Sequence, residues 1–469
     1  MTTTPDRRRF LRQALAAGAT TAIAPAWLHA APRTIGASGK VNLACIGIGN
    51  RGAQIIAEFA KTGLANIVAL CDTDLGAPHT TDTLKKHPNA KQFQDFRVMF
   101  DKMGKEIDAV CIGTPDFSHF PIAMHAMALG KHVYVEKPLG RTYLENKLLM
   151  AAEEKYKVAT QMGNQGHSEA NYFQFKAWTE AGIIKDVTQI TAFMNSPRRW
   201  HGETAETMLA KGKAPLPETL DWDLWQSATK EREYNKNYVN GQWRCWYDLG
   251  MGALGDWGAH IFDTAHEFLK LGMPTEVIPK LEGHSDLIFP QASTLLFKFA
   301  AREGMPACEM TWLDGTKNRP TLPDKFGQPV AESDIPPPST GKIDKSMPPG
   351  KVIYGKDLTF KGGSHGSTLR IIPEEKEKDM KASLPEVPRS PSNHFANFLK
   401  ACKGEETCRS PFSISGPLSQ VMNIGVIAQW LNRPVKFDSA TGTIVGDDKA
   451  AALLAGPPPR KGWEQYYKL

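Results

Sequence analysis

The stretch from Lys40 to Lys61 leaves few folds open. An apolar run, Val41–Ile46, ends in Gly47-Ile48-Gly49-Asn50-Arg51-Gly52, and Ala53–Lys61 follows with its apolar residues spaced for one helical face. A strand, a G-x-G-x-x-G turn and a helix in that order is the setting in which a chain cradles a dinucleotide. Gly47 allows the tight turn, Gly49 lets a pyrophosphate approach the backbone, and Gly52 lets helix and strand pack closely. The first helical residues, Asn50 and Arg51, then turn unpaired N–H groups toward the phosphates.

The same alternation continues downstream. Ile67–Leu70, Ala109–Ile112 and Val133–Val135 read as strands, while Phe96–Phe100, Pro121–Leu129 and Leu144–Tyr156 read as helical. Strands alternating with helices predict a parallel sheet covered on both faces, with ligands at the carboxyl ends of the strands. Residues 38–160 are therefore expected to form a Rossmann dinucleotide-binding domain. Beyond Gln161 the strand-like pieces Val187–Met194 and Leu295–Phe299 lie far apart, among aromatic and polar stretches. Residues 161–469 are expected to form a C-terminal α/β domain on a mostly antiparallel sheet. Within it, Gly315–Gly350 holds eight prolines, a loop long enough to lid a site or touch a neighbouring subunit.

The strand ends carry the chemistry. Asp72 closes the second strand twenty residues beyond Gly52. A carboxylate there accepts hydrogen bonds from ribose hydroxyls and repels a 2′-phosphate, which favours NAD over NADP. Arg51 is a counter-signal, since it could pair with that phosphate. Gly113-Thr114-Pro115-Asp116 closes the next strand on the same side, and His119 follows one turn later as either a cofactor contact or a capping residue. Val133-Tyr134-Val135 ends in Glu136-Lys137-Pro138, which places a titratable amine beside the nucleotide site. Further on, Gly252-Ala-Leu-Gly255-Asp256-Trp257-Gly258-Ala259-His260 puts Asp256 and His260 four residues apart, on one face of a helix. An imidazole is the natural acceptor of an alcohol proton, and a neighbouring carboxylate can orient it. Trp200, His201, Trp243, Arg244, Trp246 and Tyr247 are candidate sugar contacts or packing residues.

Charge and cysteine usage exclude other classes. The first 31 residues hold four arginines against one aspartate, half of the net charge of +6. The rest shows no basic stripe, so nucleic acid has little to bind. No apolar run is long enough to span a membrane. The seven cysteines include no Cys-x-x-Cys pair, which argues against structural zinc. Cys402 and Cys408 flank a short polar loop and could form a disulfide in an oxidising compartment. No dense metal-ligating cluster is evident; Asp256, His260, Asp263 and His266 on one helical stretch form the weak exception.

Together the glycine turn, the Glu136-Lys137-Pro138 strand end and the Gly252–His260 segment resemble the Gfo/Idh/MocA oxidoreductases. Gln161-Met-Gly-Asn164-Gln165-Gly-His167 is similar to their exported bacterial branch. The resemblance covers roughly residues 40–270 by motif, and continues loosely beyond. It implies a site between two domains, bound NAD, a carbohydrate substrate and a homo-oligomer, dimer or tetramer, built through an open C-terminal sheet. It assigns Lys137, Asp256 and His260 as catalytic, and Glu136, Asn164 and Gln165 as cofactor-side residues. Arg7-Arg8-Arg9-Phe10-Leu11-Arg12 also resembles a twin-arginine signal. It is followed by a weakly apolar Ala/Thr/Gly stretch and small residues near Ala30-Ala31. Residues 1–31 are thus expected to direct export to the periplasm. An exported enzyme has no NAD pool to draw on, so it must hold and recycle its cofactor. Net redox between two substrates satisfies this, as does transient oxidation with elimination and re-reduction, which cleaves a glycoside. A non-catalytic sugar-binding protein is the third reading.

Overall fold

The computed structural model describes residues 35, 39–194, 202–302, 304–315, 317–323 and 349–469. The leader, Trp200, His201 and most of the proline-rich segment lie outside the described residues.

Six strands, β1 (Val41–Ile46), β2 (Ala65–Cys71), β3 (Lys91–Phe93), β4 (Ala109–Ile112), β5 (His132–Val135) and β6 (Thr160–Met162), form one sheet in the order β3-β2-β1-β4-β5-β6. All its pairings are parallel. The order reverses between β1 and β4, the crevice where such sheets take a dinucleotide. The helix Arg51–Lys61 covers the sheet with Ile55, Ile56 and Phe59. One helix differs from expectation. The sequence suggested a start at Pro121, yet the helix runs Asp116–Ala128 with Pro121 inside it. Proline there forfeits one backbone hydrogen bond. The helix is buried along its whole length, and packing outweighs that loss.

Nine further strands form the second sheet. They are β7 (Gln189–Met194), β8 (Glu276–Glu282), β9 (Ala292–Phe299), β10 (Cys308–Asp314), β11 (Gly350–Tyr354), β12 (Thr359–Gly363), β13 (Arg370–Ile372), β14 (Val435–Asp438) and β15 (Thr443–Val445). Their order is β13-β12-β11-β7-β10-β9-β8-β14-β15. Only the β7–β10 pairing is parallel among them, as the mostly antiparallel expectation required. The whole is α/β.

The C-terminal third of the chain returns to the first sheet. The helix Phe412–Leu431 is buried over most of its surface. It lies against the helix Tyr143–Tyr156, where Asn146 donates to Asn423 at 2.7 Å. The helix His394–Cys402 sets Phe395 against Phe59, edge to face at 5.1 Å. All seven cysteines are free thiols, so Cys402 and Cys408 are not bridged.

Candidate active site

A cavity of about 1230 Å³ runs from the glycine turn, past the tips of β2 and β4, to Lys137 and His260. It exceeds the roughly 300–1,000 Å³ typical of small-ligand pockets, and suits a dinucleotide together with a second molecule.

The cofactor end is built from backbone. Gly47 adopts φ +77°, and a Cβ on Gly52 would lie 1.8 Å from the Gly47 carbonyl oxygen. Only glycine fits either position. No side chain caps the helix that starts at Arg51, so its N-terminus is free for a phosphate. A Cβ on Gly49 would lie 2.1 Å from the His79 ring, so the second glycine makes room for that side chain as well. Asp72 accepts the N–H groups of Ile48 at 2.9 Å and Asp74 at 3.1 Å, and its carboxylate lines the cavity with Thr114 and Pro115. These features fit an NAD-binding turn. Arg51 pairs with Glu136 at 3.1 Å, and Gln165 reaches the same carboxylate. Arg51, Asn50, Glu136 and Gln165 all line the cavity.

His119 and Asn164 have other tasks. The two ring nitrogens of His119 lie 2.9 Å from the carbonyl oxygens of Pro138 and Thr114, with the ring's one N–H donating to one of them, and the residue is fully buried. It ties two strand-end turns together and does not line the cavity. Asn164, also fully buried, donates to Asp263 at 3.0 Å and accepts from Ser410 at 2.6 Å. Asp263 in turn holds His167 at 2.8 Å, which removes it from any metal set; no group of metal-ligating side chains exists among the described residues.

The substrate end gathers charge. Lys137 Nζ donates to the Asp256 carboxylate and to its backbone oxygen, both at 2.6 Å. Burial lowers the Lys137 pKa, and Asp256 offsets part of that. Arg244 lies 3.5 Å from the same carboxylate and stacks over Trp243 at 4.1 Å. Asp256 is thus paired with two cations, and its influence on His260, four residues on, is electrostatic, with no hydrogen bond between them among the described residues. His260 instead stacks face to face on His365 at 3.7 Å. Burial, His365 and Lys137 push its pKa well below the usual value, so the ring is neutral and able to accept a proton. Asp116, buried at the start of its helix, is pushed up to about 7 chiefly by burial. Trp243 and Arg244 line the cavity, whereas Trp246 and Tyr247 do not. Trp246 donates to Asn237 O at 2.9 Å and Tyr247 stacks on Trp430 at 5.0 Å, so both are packing residues.

Sequence reasoning passed over His365 and Asp116. The available signals were a histidine within Gly362-Gly-Ser364-His365-Gly366 and a carboxylate directly after a strand-end Thr-Pro.

A strap borders the cavity at the tip of β2. Asp221 N–H donates to Thr73 O at 2.9 Å, Gln94 to Thr219 O at 3.0 Å, and Thr219 Oγ1 to Asp74 at 2.6 Å. A segment from the C-terminal domain therefore crosses the tip of β2, beside Asp72.

A parallel sheet with its order reversed over a glycine turn, joined to an α/β half across a shared cavity, defines an NAD-binding oxidoreductase fold. Residues 41–164 match the oxidoreductase family with an NAD-binding Rossmann fold, and residues 181–281 its C-terminal alpha/beta domain. The chain belongs to the Gfo/Idh/MocA oxidoreductase family. A glycosyl hydrolase family 109 protein of Shewanella amazonensis is 33% identical over 159 residues, 30% of this chain and 35% of that protein. One from Solibacter usitatus is 31% identical over 173 residues, 34% of this chain and 39% of that protein. The matched stretch thus spans little more than a third of those relatives. The WlbA dehydrogenase of Bordetella pertussis, solved with NADH and UDP-GlcNAcA, shares the fold at a TM-score of 0.54 and 14% identity, over 85% of this chain and 99% of that one. The aldose-aldose oxidoreductase of Caulobacter crescentus does so at 0.52 and 15%, over 85% and 100%.

Proposed function

We propose that the protein is an NAD-dependent oxidoreductase acting on a secondary hydroxyl of a sugar, polyol or glycoside, with a cofactor retained and recycled on the protein. The observation that carries this is the hydrogen-bonded Lys137–Asp256 pair beside neutral His260, in the same cavity as the glycine turn. When bound, the cofactor supplies a hydride acceptor at its nicotinamide. His260 accepts the hydroxyl proton. Lys137 donates a hydrogen bond to the reacting oxygen and stabilises its developing negative charge. Asp256 holds the Lys137 ammonium in place, while Arg244 and Trp243 offer a donor and an aromatic face to a sugar ring. The strap over β2 supports retention, because Pro217, Thr219 and Leu220 wall the cavity beside Asp72.

Asp116 favours a second reading, cleavage of a glycoside by oxidation, elimination and re-reduction. A carboxyl that stays partly protonated near pH 7 can give its proton to a departing alkoxide. The relatives named as glycosyl hydrolases point the same way. Purified protein incubated with p-nitrophenyl glycosides, without added NAD, separates the two. Nitrophenol release supports cleavage. A ketosugar without release supports net redox. Neither product, across a panel of sugars, overturns both. Lys137→Ala should abolish whichever product forms.

The reading extends to place and assembly. The paired arginines of the leader support periplasmic export. The open face of the nine-stranded sheet, where β9 alternates buried with half-exposed residues, supports a homo-oligomer. N-terminal sequencing of the exported protein and light scattering in solution test these two points.

A further inference from the structure

The carboxylate four residues before His260 is bound elsewhere, which leaves open what holds the imidazole. Its Nδ1 is buried with no hydrogen-bond partner among the described residues. Rotation about the last torsion of a histidine is soft and broad, so a ring without a hydrogen bond needs packing to fix its plane. His365 provides that packing, with ring centroids 3.7 Å apart and planes 17° apart. On the same helix Trp257 meets His365 edge to face at 5.8 Å, so the ring sits against two side chains of one helix.

His365 is itself clamped. It lies in the loop after β12 with φ +52°, a left-handed conformation that ordinary residues keep only where the surroundings enforce it. A Cβ on Gly166 would lie 2.7 Å from the His365 carbonyl oxygen, and one on Gly366 would lie 1.6 Å from Glu169. The turn is thereby locked against the segment that follows β6. Its Nδ1 shares a hydrogen bond with Ser364 Oγ at 3.0 Å.

We infer that His365 is a positioning residue, holding the plane of the His260 imidazole in the cavity and shielding it from water through their stack. This rests on His260 being the proton acceptor. The charged groups around the pair are Lys137, Arg51 and Asp256 on the His260 side, with Lys351 added on the His365 side. Glu169 also lies against Gly366, the next residue, yet burial and the nearby cations lower the pKa of both rings, so both are neutral at rest. His365 lies against the face of the ring that takes the proton, and the stack keeps water from it. A protonated His365 would oppose the transfer.

The test compares His365→Ala and His365→Phe in the full-length protein. Phenylalanine keeps the stack and removes the ring nitrogens. Histidine-labelled NMR, with His260 identified by its loss in His260→Asn, reads the ring without needing a substrate. In wild-type protein and His365→Phe, His260 should stay unprotonated well below the ordinary imidazole range. In His365→Ala water reaches the ring, and it should titrate near its ordinary pKa of about 6.5. Where turnover is measurable, His365→Ala should lower kcat with little change in KM and move the acidic limb of the pH profile upward, and His365→Phe should restore both. A His260 signal equally unprotonated in His365→Ala overturns the inference. So does a His365→Phe protein that behaves like the alanine variant, which would assign the role to the nitrogens of His365. If the NMR pattern holds but no variant changes turnover, the assignment of His260 fails while the stack stands.

Discussion

At the scale of single residues the site works by keeping charges apart. Asp256 is paired with Lys137 and Arg244, while Asp116 is driven toward its neutral form by burial, with Asp256 adding to the push. The two carboxylates line the same cavity in different surroundings, one paired with cations and one buried, which is how one site can hold both an acid and an anion. The consequence for stability has a definite sign. A carboxyl whose folded pKa is raised from 3.8 to about 7 binds more protons folded than unfolded between those values. Its contribution to stability therefore falls as pH rises through that window. Asp116→Asn removes this cost. We expect it to match wild type below pH 4 and to gain stability progressively up to pH 7, by at most about 4 kcal/mol, measured by denaturant unfolding across the pH range. A gap that does not grow with pH would show Asp116 to be ionised in the fold. Residue by residue, legibility followed locality. Gly47, Gly52 and Asp72 could be read because one strand, one turn and the next strand end determine their roles. Lys137 could be read because it ends a strand. His365 could not, because it approaches His260 only through the folding of a loop more than a hundred residues downstream. The i,i+4 spacing of Asp256 and His260 was real, yet it could not show that a lysine from another element would take the carboxylate first.

At the scale of elements, two contacts hold the cavity together. The first is His167, fully buried between Asp263 at 2.8 Å and Glu267 at 2.6 Å. It joins the short helix Asp263–Phe268, just beyond His260, to the turn that follows β6. Burial alone would lower its pKa, but the two carboxylates raise it to about 10. A raised histidine contributes stability that is fully present below about pH 6.5 and lost as pH climbs through about 10. His167→Gln should cost about 3 kcal/mol or more at pH 6, since it leaves buried carboxylates without their cation, and the difference should shrink toward pH 10. Thermal unfolding at the two pH values checks this. The second contact is the strap. Thr219→Gly removes the bond to Asp74 and the side chain that covers Gly76. One lost hydrogen bond to a charged partner is worth about 1.5 kcal/mol, which corresponds to roughly tenfold faster loss of NAD. Bound nucleotide remaining after gel filtration, followed over time, is the readout. Unchanged retention would remove the strap from the argument for a recycled cofactor. The strap was not legible in the sequence. Pro217 to Asp221 carries no motif, and its meaning comes from where it crosses β2.

At the scale of the whole molecule the two sheets do not behave as separate bodies. The texture change near Gln161 suggested a domain boundary there, and the matched family regions divide close to the same place. The packing tells against independence. One continuous apolar core includes Ile112 and Val135 of the first sheet, Leu295 and Phe297 of the second, and Val421 and Ile424 of the helix Phe412–Leu431 between them. Phe395 and Phe398 belong to a second core with Ile55 and Phe59 of the first helix. Polar ties follow the same route, with Gln161 donating to His394 O at 2.7 Å and Met162 N–H to Ser410 O at 2.9 Å. Residues 39–164 taken alone would expose the faces that these two helices cover, and a patch of that kind on a free domain drives association. Full-length protein should therefore unfold in one calorimetric transition, with calorimetric and van't Hoff enthalpies in agreement. A fragment of residues 39–164 should aggregate or lack fixed tertiary structure in near-ultraviolet circular dichroism. Added NAD should raise the transition temperature of cofactor-stripped protein as one unit, because a ligand bound to one half stabilises everything that unfolds with it. Two separated transitions, only the first of them moved by NAD, would show that the shared core does not couple the halves. The cavity would then lie between two domains free to part, and the strap alone would have to keep the cofactor in place.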